Sequence, residues 1–127
     1  NYIIHVAYAQ LLEKIDLAKA EEVYKKATKI APEKQIAWFN LGALYVNKGV
    51  EAYKKANDED DMEKARALQK EGNDAYTAAF PYLEKSLEIE KCDRQSLDAI
   101  ISICINLGDD YTASYKKYKD MKAECGF

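Results

Sequence analysis

The stretch Ala37-Trp38-Phe39-Asn40-Leu41-Gly42-Ala43-Leu44-Tyr45 constrains the fold of this chain more than any other. Trp38, Leu41, Gly42 and Tyr45 follow one another at intervals of three, one and three residues. On a helix that spacing places all four on one face. Large residues stand at the ends of the face, and a glycine lies between them. Such a face lets a second helix approach closely at its middle, so the stretch predicts one arm of a tightly packed helical pair.

Composition points the same way. Five glycines and two prolines in 127 residues leave little room for turns, which favours a few long helices over many strands. The length suffices for one domain with a real core and is short for two. A net charge of −3 gives the whole molecule no basic footprint for nucleic acid. No apolar run approaches the length needed to span a bilayer. The chain opens at Asn1 rather than a methionine, so a mature form, an excised fragment and an exported compartment all stay open. Cys92, Cys104 and Cys125 are odd in number and lack paired spacing, which argues against a disulfide framework and favours the cytoplasm.

The flanks of the central stretch fall into register with it. On the second predicted helix Ala20 and Ala27 are small enough for helices to touch, Tyr24 fills the space between them, and Pro32 stops the helix. Asp16 is its expected N-cap. Trp38-x-x-Leu41-Gly42-x-x-Tyr45 matches the first-helix signature of the tetratricopeptide repeat without a mismatch, and Ala20, Tyr24, Ala27 and Pro32 match its second helix. The chain resembles that family over its whole length. The likeness is closest over residues 16–49, less close over 76–93, and loosest at both ends.

The resemblance implies an all-α fold, a right-handed superhelical stack of three helix pairs within a single domain, 1–127. Repeat one spans 1–34, with Ile4, Ala7, Tyr8 and Leu11 at its inward positions. Repeat two spans 35–93. Its second-helix alanine, Ala79, lies 41 residues after Trp38 rather than the regular 16, so 25 residues are inserted, roughly 51–75. These are rich in Ala, Glu, Lys and Leu, and carry apolar stripes on both sides of a break at Asn57-Asp58-Glu59-Asp60. Two elongated antiparallel helices are expected, over about 34–57 and 60–90, projecting roughly 18 Å beyond their neighbours. Asp60 with Glu63 would cap the second arm, and Gly49 and Ala52 would lie near Leu68 and Gly72. Gly72-Asn73-Asp74 could interrupt that arm, and Pro81 should kink it. A degenerate third repeat, 94–127, has Asp93 as a cap, Leu97, Ile100, Ile101, Cys104 and Leu107 inside, and Gly108 as a stop. The last helix carries Tyr111, Tyr115, Tyr118, Met121 and Cys125, too many large residues for one inner face. Its outer side and that of the first helix are therefore expected to need cover, from further repeats of a longer array or from a second copy.

Candidate chemistry is sparse. His5, the only histidine, has no partner at metal-ligand or catalytic spacing and reads as a surface or groove residue. Cys104 reads as a core residue. The oxygen-rich run 57–61 lacks the glycine and distal glutamate of a calcium loop, and reads as a turn with a helix cap. Tyr115-Lys116-Lys117-Tyr118-Lys119 interleaves aromatic and basic residues, as single-strand binders do, but fits a solvated lysine face better. No phosphate loop or nucleophile motif appears, so neither a cofactor nor enzyme activity is expected. Residues 51–75 hold 8 acids and 5 bases, leaving 14 of each elsewhere: an acidic hairpin on a neutral body.

The resemblance makes a concave groove the expected site, receiving a peptide or helix of a protein partner. Carried over by position, its residues are Tyr2, His5, Leu12, Phe39, Ala43, Val46, Asn47, Asp98, Ser102, Ile105 and Asn106, with Ala9, Ile36 and Gln95 beside them. Of the basic clamp by which one subgroup grips chaperone tails, only Asn40 is present, so that ligand is not expected. Binding along the elongated hairpin, and a self-associating structural module joined through its ends or hairpin, are the alternatives.

Overall fold

Four helices of the computed structural model, which describes residues 1–127, begin at a side chain that accepts from the free amides of the first turn. Asn1 does so for α1 (Tyr2–Leu12), Asp16 for α2 (Leu17–Ile30), Asp61 for α4 (Met62–Ile89) and Asp93 for α5 (Arg94–Leu107). The other two, α3 (Gln35–Asp58) and α6 (Thr112–Glu124), start without such a cap, α6 directly after a 3-10 turn at Asp109–Tyr111. There is no strand. The capping box expected at Asp60 forms one residue later. Asp61 Oδ1 accepts from the Lys64 amide at 3.1 Å, and Glu59 Oε1 accepts from the Asp61 amide at 3.0 Å. Glu59, preceding the cap, thus takes the role expected of Glu63.

Each helix packs on the next along the chain, and the contact between α3 and α4 is the most extensive. Those two, 24 and 28 residues long, are the expected elongated arms; the others have 11 to 14 residues. At 1.5 Å per residue, α3 outruns a 14-residue helix by roughly 15 Å. α4 runs unbroken through Gly72-Asn73-Asp74 and through Pro81, whose ring is exposed.

Glycine sets how closely the arms approach. A Cβ on Gly42 would meet Leu83, one on Gly49 would meet the Tyr76 ring, and one on Gly72 would meet the Tyr53 ring, each inside 3.0 Å. The two tyrosine rings meet edge to face at 5.0 Å. Gly49 therefore faces Gly72 as expected, but the filler is a pair of tyrosines rather than Leu68.

Two cores share α3. Val6, Ala9, Ala20, Val23, Tyr24 and Ala27 bury against Ala37, Leu41 and Leu44. On the other side Tyr76, Ala79, Leu83, Leu87, Leu97, Ile100, Ile103 and Tyr118 form a larger-residue core, against which Phe39, Val46 and Tyr53 pack. The first core is alanine-rich, so its helices touch with little between them.

Three expectations are corrected. First, α1 turns the other way about its axis: Val6 and Ala9 are buried, with Tyr2 and Leu12 packed beside them, whereas Ile4, Ala7, Tyr8 and Leu11 are exposed. This helix is apolar on both sides, and the Tyr2 hydroxyl, accepting from the Ala37 amide at 3.0 Å, anchors the side that faces α3. Second, α6 does find room for its large residues. Tyr118 is only 3% exposed, Tyr111 and Tyr118 pack on Phe80, and Met121 reaches the second core. Third, Cys92 and Cys125 form a disulfide. The α5–α6 pair brings its far end back to the α4–α5 turn, so two cysteines 33 residues apart meet there. Cys104 alone is free, and it is buried as expected. The disulfide removes the ground on which cysteine usage favoured the cytoplasm.

Candidate functional site

The elongation of α3 and α4 creates the main cleft of the molecule. The hairpin rises past the α1–α2 turn and leaves a hollow of about 740 Å³ between them. Glu13 and Leu17 form its base. Leu44, Tyr45, Asn47, Lys48, Glu51, Ala52 and Lys55 line the α3 side, and Glu71, Asp74, Ala75 and Ala78 the α4 side. The small side chains recur along the arms because the arms themselves must touch, and they leave a low floor between charged rims.

The charges on these rims are not all satisfied internally. Lys48 lies 3.3 Å from Glu21, and Asp74 pairs with Lys70 at 2.8 Å. Glu51 stands 3.9 Å from Lys54, at the outer limit of an ion pair. Glu13, Glu71 and Lys55 have no ion-pair partner. The lining thus holds four carboxylates against two lysines, one of them already engaged.

One corner of the cleft is aromatic. Trp38, Tyr82 and Tyr45 stack in a row, with centroids 6.3 and 5.7 Å apart, and Lys48 lies 4.9 Å from the centroid of the Tyr45 ring. Burial acts against the charge on Glu21, but Tyr45, Lys25 and Lys48 outweigh it and hold the carboxyl below its ordinary range. Burial, then the Glu21 carboxylate, pushes the Tyr45 phenol up. Beneath the turn, burial and the nearby Glu13 charge push up Tyr24, whose hydroxyl, like the Asn40 amide nitrogen, is buried without a hydrogen-bond partner.

The eleven residues carried over to a groove are spread over several environments. Tyr2 is half-buried by its bond to Ala37, and His5 lies with Nδ1 2.7 Å from the Asn1 carbonyl oxygen. Leu12 packs on the first core, Phe39 and Val46 on the second, and Ala43 is half-buried. Asp98, Ser102, Ile105 and Asn106 share the exposed face of α5. There Asp98 pairs with Lys122 at 2.7 Å, and the Asn106 amide donates to the Ser102 carbonyl at 2.9 Å. Ile105 borders a shallow hollow of about 250 Å³ with Cys104, Gly108 and Tyr115. Of the eleven, only Asn47 lines the main cleft. Sequence reasoning missed the other twelve, although the 25-residue excess that builds the cleft was countable. No helix is long and apolar enough to cross a membrane. No protein-family model matches the chain, and no curated protein matches it either.

Proposed function

We propose that the chain is a repeat module of the tetratricopeptide type whose work is to bind a segment of a partner protein, without chemistry of its own. Three successive helix pairs support the repeat reading, as does the burial of Ala20, Tyr24, Ala27, Leu41, Gly42, Ala79 and Leu83 at positions where that pattern wants contact. The observation that carries the binding role is the cleft beside the hairpin. A hollow of about 740 Å³ with a low floor and ionic rims suits a short helix or extended segment rather than a flat surface. With Glu13 and Glu71 unpaired, the favoured segment is basic on one edge and aliphatic on the other. A second reading places the partner on α5, because Asp98, Ser102, Ile105 and Asn106 stand together in solvent.

Selection of peptides from a displayed library on the intact chain tests the first reading against the second. Basic, aliphatic sequences should be enriched. Ala75→Arg, which fills the floor, should weaken them about tenfold or more, while Ile105→Ala leaves them unchanged. Enriched peptides that lose affinity only with Ile105→Ala move the site to α5. Failure to enrich any peptide removes the binding proposal.

A further inference from the structure

The molecule has eleven large apolar residues that stand exposed, and six of them lie within its first 17 positions: Ile3, Ile4, Tyr8, Leu11, Ile15 and Leu17. The other five are dispersed, one each on α2, α3, α4 and α5 and one at Phe127, as isolated surface residues usually are. At about 100° per residue, Ile3, Ile4, Ala7, Tyr8 and Leu11 fall within one arc of roughly 140° on α1. The arc lies opposite Val6 and Ala9, which hold α1 to the core. We propose that this outer face of α1 is a twofold interface between two copies of the chain, the two helices running antiparallel with the axis passing between Ala7 and Tyr8.

Three observations select a second copy as the occupant. The first is charge. No Asp, Glu, Lys or Arg occurs between Tyr2 and Leu12. A partner recognised by its charge has nothing to grip on this face, and self-pairing brings no like charges together.

The second is self-complementarity. A closed twofold contact requires that where one residue meets another, the reverse also holds. About an axis between positions 7 and 8, Ile4 faces the partner's Leu11 and Leu11 faces the partner's Ile4. Ala7 likewise faces the partner's Tyr8. The small residue opposite the large one gives each ring a place between the helices, and lets the axes approach closely.

The third is area. Ile4 is 66%, Leu11 68% and Ile15 82% exposed. With Ile3 and Tyr8 these leave on the order of 500 Å² of apolar surface, at roughly 150–200 Å² for a fully exposed large side chain. A stable interface of ordinary size needs about 800 Å² from each partner. The polar edge formed by Gln10 and Lys14 would supply much of the remainder. Being separate from the cleft, the contact would hold whether or not the cleft binds a partner.

Sedimentation equilibrium of the full chain between about 1 and about 200 µM tests the proposal, with a reversible monomer–dimer equilibrium in the micromolar range expected. Leu11→Glu should raise the dissociation constant roughly 100-fold or more, because symmetry removes the contact twice. Circular dichroism checks that the variant stays helical. If Leu11→Glu unfolds, Ala7→Cys answers instead: beside the axis, it should cross-link two copies under mild oxidation, whereas Lys29→Cys on the far side of α2 should not. Monomer throughout the concentration range overturns the proposal. So does dimerisation that Leu11→Glu leaves intact, or an open-ended ladder of larger species, which would mean head-to-tail stacking.

Discussion

The first and last helices are of similar length, yet they are held in opposite ways. α1 is apolar along nearly its whole length and spends half of that character on solvent, burying only Val6 and Ala9 completely. α6 reads TASYKKYKDMKAE, mostly polar, and buries only Tyr118. It is nevertheless fastened at several points. The Tyr118 hydroxyl donates to Glu84 at 2.8 Å, Lys122 pairs with Asp98, Lys91 with Glu124, and Cys125 is bonded to Cys92. Hydrophobic content and firmness of attachment are therefore separate properties here. One helix has surplus adhesive surface and few specific ties; the other has little surface and many ties.

The largest test of that contrast is removal of the covalent tie. Cys92→Ser with Cys125→Ser should lower unfolding free energy by about 3–4 kcal/mol, the loop-entropy value for closing some 33 residues. Urea denaturation with and without reductant measures it, and hydrogen exchange should place the loss in α6 rather than α1. Equal loosening of both ends would break the comparison.

A smaller effect separates the two faces of α1. Val6→Ala, which removes two buried methyl groups, should cost about 1–2 kcal/mol. Leu11→Ser, on the outer face, should change monomer stability by about 0.5 kcal/mol or less when measured at concentrations too low for association. Thermal or urea unfolding of the two variants sharpens the point, since the residues are five apart on one helix.

The last effect is absent at neutral pH and emerges only in alkali. Burial raises the Tyr118 phenol, with Glu84 adding to it, and burial likewise raises Tyr24 and Tyr45. A raised folded-state pKa means that the unfolded chain loses its protons first. The stabilisation is complete below the ordinary phenol value of 10.0 and is lost as pH climbs above it. Stability should therefore fall above pH 10, and Tyr24, Tyr45 and Tyr118, with Tyr53 and Tyr76 also raised by burial, should be the late-ionising members of the ten tyrosines in ultraviolet titration. Tyr118→Phe should flatten part of that fall. Full ionisation of all ten with the fold intact would contradict the burial of Tyr118.

The paired arms were legible because their pattern has only one solution. Gly42 stands between Trp38, Leu41 and Tyr45 on one face, and the inserted residues carry apolar stripes on both sides of their break, whereas the Tyr53–Tyr76 pair that fills the seam was not legible, Leu68 being the expected neighbour. The caps at Asp16 and Asp93 were legible for the same local reason. α1 was not. With Tyr2, Ile3, Ile4, Val6, Tyr8, Leu11 and Leu12 distributed all round, periodicity cannot choose which side faces in, and the family pattern pointed to the wrong one. The Cys92–Cys125 bond depends on where two helix ends meet, which spacing along the chain does not encode. The cleft is a difference between hairpin lengths. It belongs to no single segment, and apart from Asn47 its lining matched no expected site residue.

The reciprocal seating of Tyr53 on Gly72 and of Tyr76 on Gly49 bears on how the acidic tip can move. Each ring occupies the space that a side chain would take, so sliding one arm past the other by a single residue drives a ring into a neighbour. A shift that restored comparable seats would have to cover a whole turn, about 5.4 Å, and would also unseat Leu83 from Gly42. The two arms must therefore tilt together or not at all. Force applied at Asp58–Asp61 would arrive at the base undiminished by slippage, as along a lever, and the end of that lever lies where α3 meets α2 and α5.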